Sequence, residues 1–196
     1  MPGGRGDGRA GTVPVVRTTL LLVRHGQTDW NRDGRFQGHA DTPLNETGRG
    51  QARALAEALA TERVDAVYSS DLQRARHTAA AVADAAGLDV VTLPELREKH
   101  FGTWEGLTHA EIAERFPEAP RGSWGDGETS EEMASRVLGA LRQIAARHDG
   151  ETVLVVSHGG PLLAVRRHLG GADDAPIANG EVLRVLVEGA RLVREG

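Results

Sequence analysis

The sequence predicts an α/β fold: a three-layer α/β/α sandwich around a mostly parallel sheet with an antiparallel edge strand. Three observations predict it. Two short, unbroken apolar runs, at Leu20 to Val23 and within Thr152 to Ser157, have the pattern of strands buried on both faces. Stretches of helical periodicity alternate with the strand-like runs, as the crossovers of a parallel sheet require. A late pair of β-rich runs around Gly189 reads as a hairpin and supplies the antiparallel strand.

Bulk properties narrow the function. A chain of 196 residues suits one domain with one useful core. The net charge of -5 argues against a protein that relies on gripping nucleic-acid backbones. There is no cysteine, hence no disulfide framework, thiolate nucleophile or cysteine-based metal site. No apolar run approaches the length needed to span a bilayer, so no membrane partner is expected. The first sixteen residues carry Arg5 and Arg9 but no following apolar region, so a cytoplasmic rather than a secreted protein is expected.

Residues 1–16 are expected to be a disordered tail, because Gly3, Gly4, Gly6, Gly8 and Gly11 oppose regular structure. Residues 17–196 then form a single domain. The first strand ends on Arg24, His25 and Gly26. Residues 27–46 show no periodicity and read as a long ordered loop, a type that is usually functional or mobile. Thr47 can cap a helix to about Ala60 with Ala52, Leu55, Ala56 and Leu59 on one face. Val64 to Ser69 reads as the second strand. Ser70 and Gln73 have capping-box spacing, and Leu72, Ala75, Ala79, Val82 and Ala86 make an apolar stripe that stops at Gly87. Asp89 to Leu93 is a third strand.

The stretch from Pro94 to Gly127 is the least regular, with one short helix expected from Thr108 to Phe116. Thr129 and Glu132 form another capping box and open a helix with Met133, Val137, Leu141 and Ile144 on one side. After the strand Thr152 to Ser157, Pro161 suits the first position of a helix to about Leu169. The terminal hairpin, Glu181 to Val187 and Arg191 to Arg194, could also pair with a second copy, giving a homodimer.

In open α/β sheets ligands bind beyond the carboxyl ends of the strands. Three strands end in unusual chemistry: Arg24-His25-Gly26, Ser69-Ser70-Asp71-Leu72-Gln73-Arg74, and Ser157-His158-Gly159-Gly160. A parallel sheet makes these ends neighbours. Two imidazoles, two guanidiniums and helix N-termini then meet in one crevice, which attracts an anion. Guanidiniums match phosphate oxygens, and paired histidines suit nucleophilic or acid–base work on that anion. Arg76 lies about 200° round the helix from Arg74 and should face solvent. There is no His-Glu-x-x-His, and His25, His100 and His158 lack helix-facing ligand spacing, so no metal site is expected. Transfer from an ester also needs an acid, and the chemistry alone leaves Glu95, Glu98, Glu105 and Glu111 open.

The pattern Arg24-His25-Gly26-x-Thr28-x-x-Asn31 resembles the signature of the histidine phosphatase superfamily, which includes the cofactor-dependent phosphoglycerate mutases. The same family order and spacing are seen in Phe36-Gln37-Gly38, Asp41-x-Pro43-Leu44-x-x-x-Gly48 and Ser69-Ser70-Asp71-Leu72-x-Arg74-Ala75-x-x-Thr78-Ala79. The run Leu96-Arg97-Glu98-Lys99-His100-Phe101-Gly102-x-Trp104-Glu105-Gly106 resembles the segment that carries the family's proton donor. The resemblance implies His25 as nucleophile, Arg24 and Arg74 as a phosphate clamp, His158 as the second pocket histidine and Glu98 as the acid. Asn31, Gln37, Gly38 and Gly159 would complete the phosphate pocket, Glu105 would be structural, and no cofactor is implied.

The expected activity is hydrolysis of a small phosphate ester through a phosphohistidine. The alternatives are a mutase-type transfer, a phosphoprotein phosphatase and a non-catalytic phosphate-binding module. Family mutases carry more sequence after the proton-donor segment, whereas about thirty residues separate Glu98 from Thr129 here, which favours an open site and hydrolysis. The segment also resembles phosphatases of sugar and glycerate phosphates and α-ribazole phosphatases. His100, Trp104, Arg121 and Trp124 are candidate specificity residues, though Trp104 reads more readily as a core or lid anchor.

Overall fold

The protein is represented by a computed structural model that describes residues 17–119, 125–171 and 174–195. The expected tail, Arg121 and Trp124 lie outside the described residues.

Strand β1, Arg17–Arg24, sits inside a six-stranded sheet. Leu20, Leu21, Leu22 and Val23 are each at most 1% exposed, so the unbroken apolar run reflects burial on both faces. Each such side chain contributes about 1.5–3 kcal/mol relative to exposure. Strands β2 (Ala66–Ser69), β3 (Val90–Thr92), β4 (Thr152–Ser157), β5 (Val182–Glu188) and β6 (Arg191–Arg194) complete the order β3-β2-β4-β1-β5-β6. The first four in that order are parallel, and β5 runs antiparallel to both β1 and β6. The antiparallel strand is therefore one in from the edge, and β6 is the edge itself.

Helices cover both faces. Helix α2 (Glu46–Ala58) and helix α3 (Gln73–Ala86) pack Leu55, Ala75, Ala79 and Val82 on Leu21, Val23, Leu154 and Val156. Helix α5 (Ser130–Ala145) and helix α6 (Gly159–His168) pack Met133, Val137, Leu141, Leu162 and Val165 on Leu20, Leu22, Val153 and Val155. The alternation of β1 and β4 side chains thus feeds two cores, which is the expected three-layer arrangement.

Several element starts differ from expectation. The loop after β1 contains a short helix, α1 (Asp29–Arg32), whose capping box is Thr28 and Asn31. Helix α2 is capped by Asn45, whose side chain accepts from the Gly48 N–H, rather than by Thr47. Ser70 does not cap α3: its hydroxyl accepts from the Leu72 N–H, and Leu72 stands at the cap position without a side-chain bond. Gln73 turns instead to Asp41, bonding its carbonyl with the side chain and its carboxylate with the backbone N–H. Pro161 occupies the third position of α6, where the missing N–H is equally harmless. Helix α5 begins at the capping box expected, Thr129 with Glu132, and helix α4 (His109–Arg115), expected as a short helix, begins at a second box, Thr108 with Glu111.

Register sets the site. Arg24 pairs with Ser157, and Val156 pairs with both Val23 and Ser69, so β2, β4 and β1 finish level with one another. The ladder extends one step further, with His25 N–H donating to Ser157 O (3.0 Å) and Ser70 N–H to Val156 O (2.9 Å).

Candidate active site

His25 follows β1 directly and is 2% exposed. Its Nδ1 lies 2.7 Å from the Gly26 carbonyl oxygen. A carbonyl only accepts, so Nδ1 carries the proton and Nε2 keeps its lone pair. Burial first, then the Arg74 and Arg24 guanidiniums, hold the imidazole pKa well below its ordinary value, against the opposing pull of the Gly26 bond. The loop is fastened from three sides. Gly26 N–H donates to Thr78 Oγ1 (3.0 Å), Thr78 Oγ1 donates to Arg74 O (2.8 Å), and Asn179 Nδ2 donates to His25 O (2.8 Å). Gly26 and Gly48 also touch backbone to backbone. A Cβ on Gly26 would stand 2.5 Å from Gly48 O, and one on Gly48 would stand 2.0 Å from Gln27 O.

Arg24 and Arg74 reach the same place from β1 and α3. Arg24 Nη1 donates to Ile177 O (2.5 Å). Arg74, fully buried, donates from Nη1 to Ala40 O (2.6 Å) and from Nη2 to Gly38 O (2.8 Å). Carbonyls thereby orient both guanidiniums in advance. Burial lowers the Arg74 pKa to about 10, partly offset by Glu98, Asp41 and Glu105, which leaves it cationic at neutral pH. Burial also lowers that of Arg24, opposed by Glu98 and Glu181.

His158, at the N-cap of α6, is fully buried, and its ring centroid is 5.0 Å from that of His25 at an interplanar angle of 63°. Burial, then Arg74, His25, Arg24 and Arg136, keep it well below the usual histidine pKa. Among the described residues, the buried side-chain nitrogens with no protein hydrogen-bond partner include Arg24 Nε, Arg74 Nε and both ring nitrogens of His158. Leaving such groups unpaired is costly, and their gathering beside His25 fits an anion with several acceptor oxygens.

Glu98 meets this group at the start of α6. Its Oε2 accepts from Gly160 N–H (3.1 Å) and its Oε1 from Lys99 N–H (2.9 Å). A Cβ on Gly160 would stand 2.3 Å from Glu98 Oε1, so the glycine is what admits the carboxylate. The backbone around Glu98 is held by side chains. Ser157 Oγ donates to Leu96 O (2.7 Å), Arg97 pairs with Asp71 through two bonds (2.5 and 2.7 Å), and His39 Nε2 contacts Glu98 O (3.0 Å). Arg136 on α5 bonds the same segment.

The remaining candidates divide. Gly159 opens α6 beside Arg24, whose Nε would lie 3.5 Å from a Cβ placed there. Gly38 acts through its carbonyl on Arg74. Gln37 is buried, and its Oε1 accepts from Thr28 Oγ1 (3.0 Å) and from Thr42 Oγ1. Asn31 Oδ1 accepts from Thr28 N–H (3.1 Å) and Asn179 Nδ2 (3.4 Å). Asn31 and Gln37 thus have side-chain oxygens engaged in bracing the loop. Glu105 Oε1 accepts from His39 N–H (2.8 Å) and Phe101 N–H (3.2 Å), which fits the structural part expected of it. Trp104 is buried and His100 exposed, while Arg76 faces solvent as expected. Asn179 and Arg136 carry no recognisable signal in the sequence, since each acts on backbone carbonyls far away in the chain.

Arg24, Glu98, Gly159 and Gly160 help line a cavity of about 770 Å³, together with Lys99, Phe36, Phe101, Met133 and Leu163. Its size suits a small organic ligand. Among the described residues no cluster of His, Asp or Glu could hold a metal ion, and no helix is long and apolar enough to cross a membrane.

The model of the histidine phosphatase superfamily (branch 1) matches residues 20–191, and the chain belongs to that family. It is 44% identical over 169 residues to a metal-independent phosphoserine phosphatase of Arabidopsis thaliana, covering 81% of this chain and 71% of the relative. It is 38% identical to phosphoserine phosphatase 1 of Hydrogenobacter thermophilus, over 79% of this chain and 77% of that protein. A solved structure of a mycobacterial glucosyl-3-phosphoglycerate phosphatase in complex with VO3 superposes with a TM-score of 0.74. That protein is 33% identical, and the match covers 87% of this chain and 90% of the other. The chain is a phosphomonoester hydrolase of this family.

Proposed function

We propose that the enzyme hydrolyses a small phosphorylated metabolite in two steps through a phosphohistidine at Nε2 of His25. The observation that carries this reading is the set of unpartnered nitrogens of Arg24, Arg74 and His158 beside an imidazole whose Nδ1 is already committed to Gly26. In the first step the Nε2 lone pair attacks phosphorus and the ester P–O bond breaks. Glu98 gives its proton to the departing alcohol oxygen. In the second step the Glu98 carboxylate takes a proton from water, the resulting hydroxide attacks phosphorus, and the N–P bond breaks to release inorganic phosphate. Throughout, Arg24, Arg74 and His158 stabilise the charge spread over the three equatorial oxygens. Their orientation by carbonyls before substrate arrives spares the reorganisation that solvent would need. Asn31, Gln37, Gly38 and Gly159 shape the phosphate pocket around them.

The low pKa of His25 supports its role as nucleophile, since an imidazolium has no lone pair to offer. The two guanidiniums supply the positive charge that a metal would otherwise bring. The relatives named for phosphoserine and glucosyl-3-phosphoglycerate support a small phosphorylated organic acid as substrate. The test is phosphate release from a panel of small phosphoesters and a phosphopeptide, with His25→Ala as blank and a chelator in parallel. The expected result is turnover of small esters that survives the chelator, with acid-labile phosphate trapped on wild-type protein and none on His25→Ala. Full activity in that variant would sink the assignment. A mutase assay primed with a bisphosphoglycerate separates hydrolysis from transfer.

A further inference from the structure

We infer that Arg136 is the positioning residue for the proton donor of this enzyme, an inference that rests on Glu98 filling that role. A guanidinium has five N–H donors in one plane, and here all five are engaged. Nε donates to Glu128 Oε1 (2.6 Å), and Nη2 to Glu128 Oε2 (2.7 Å) and Glu98 O (2.8 Å). Nη1 donates to Glu95 O and Arg97 O, both at 2.8 Å. Three carbonyls within four residues therefore converge on a single side chain.

That convergence matters because the segment has little regular structure of its own. Pro94–Leu96 is a single 3₁₀ turn, closed by Arg97 N–H to Pro94 O (3.0 Å). Glu98 follows with its carboxylate steered by Lys99 N–H and Gly160 N–H, which aims the side chain only if its Cα stays in place. Arg136 fixes the backbone at that point and ties it to α5, one turn after Met133 of the cavity wall. Glu128 faces the guanidinium with both oxygens and offsets its charge, so the part played is directional. Lysine cannot replace it, because a single ammonium presents three donors from one point rather than a planar fork.

A displaced acid has a kinetic signature that a general loss of structure lacks. An alkyl phosphate needs a proton on its leaving oxygen as the P–O bond breaks, whereas 2,4-dinitrophenolate leaves without one. For Arg136→Lys, kcat/KM for phosphoserine should fall about a hundredfold while that for 2,4-dinitrophenyl phosphate stays within about threefold. Glu98→Gln serves as the reference and should show the same preference with a larger loss. Glu128→Gln keeps the arginine but weakens its orientation, and should lose about tenfold on phosphoserine alone. If Glu98→Gln is selective but Arg136→Lys lowers both substrates alike or neither, the positioning role is overturned and the acid assignment stands. If Glu98→Gln itself is unselective, the acid assignment fails. Should Arg136→Lys not fold, Glu128→Gln decides, and equal effects on both substrates overturn the inference.

Discussion

His25 sits one residue beyond a strand that is hydrogen-bonded on both sides, whereas Glu98 sits between two three-residue 3₁₀ turns, Pro94–Leu96 and Gly102–Trp104. The nucleophile takes its position from the sheet: β4 and β5 flank β1, and the ladder runs on to His25 itself. The acid takes its position from separate side-chain bonds: Ser157, His39 and Arg136 reach in from other parts of the chain, and Arg97 of the segment itself reaches out to Asp71. A group placed mainly by a backbone ladder depends less on any one neighbouring side chain, although Thr78 and Asn179 brace the loop just beyond it. A group placed by side-chain bonds can be moved by altering one of them. The phosphate-holding half should therefore respond to substitution in its chemistry, and the acid half in its geometry.

The sharpest contrast, after His25→Ala, is Arg74→Lys. A lysine ammonium presents its three donors from one point and cannot span Gly38 O, Ala40 O and the phosphate as the planar fork does, so kcat/KM should fall by about 10²–10³-fold. The loss should be equal for phosphoserine and 2,4-dinitrophenyl phosphate, since both place the same charge on the clamp. A loss confined to phosphoserine would break the division between the two halves.

A second effect follows from the two buried imidazoles. Both have folded-state pKa values well below the ordinary 6.5, so the unfolded chain binds more protons than the folded one as pH drops through that value. Stability is full above about pH 6.5 and declines below it, each histidine contributing a slope of up to about 1.4 kcal/mol per pH unit. Denaturant midpoints between pH 7 and 5 should fall for the wild type and fall less for His158→Asn. An unchanged slope in that variant would remove His158 from the explanation.

The smallest effect belongs to Ser157→Ala, which loses one buried bond to Leu96 O. It should cost about 1–2 kcal/mol in urea unfolding and lower turnover of alkyl phosphates more than of dinitrophenyl phosphate. An equal change on both substrates would mean that this tether does not bear on Glu98.

The same division explains what could be read from the sequence. Alternating strands and helices place Arg24, Arg74 and His158 at one sheet edge because strand ends are local features and parallel pairing brings them level. The strand Thr152–Ser157, the short helix after Thr108 and the capping box at Thr129 were legible for the same reason. Glu98 could be chosen over Glu95, Glu105 and Glu111 only by family resemblance. Arg136 and Asn179 left no trace, because a side chain that binds distant carbonyls obeys no local spacing. Ser70 and Gln73 misled, because a serine three residues before a glutamine caps a helix only when the chain between them is helical. Here Ser70 closes a turn, and Gln73 answers Asp41 from another loop.

The contact between Gly26 and Gly48 has a consequence for anyone reshaping this enzyme. Residue 48 does not line the cavity, yet it is seated against the loop that carries the nucleophile with no room for a methyl group on either side. Leu163 and Ala164 line the cavity, so changes there act on whatever ester it holds. A side chain at 48 would instead lever the His25 loop away from the two arginines. The most restrictive position for redesign is thus one that a survey of substrate-facing residues would never include.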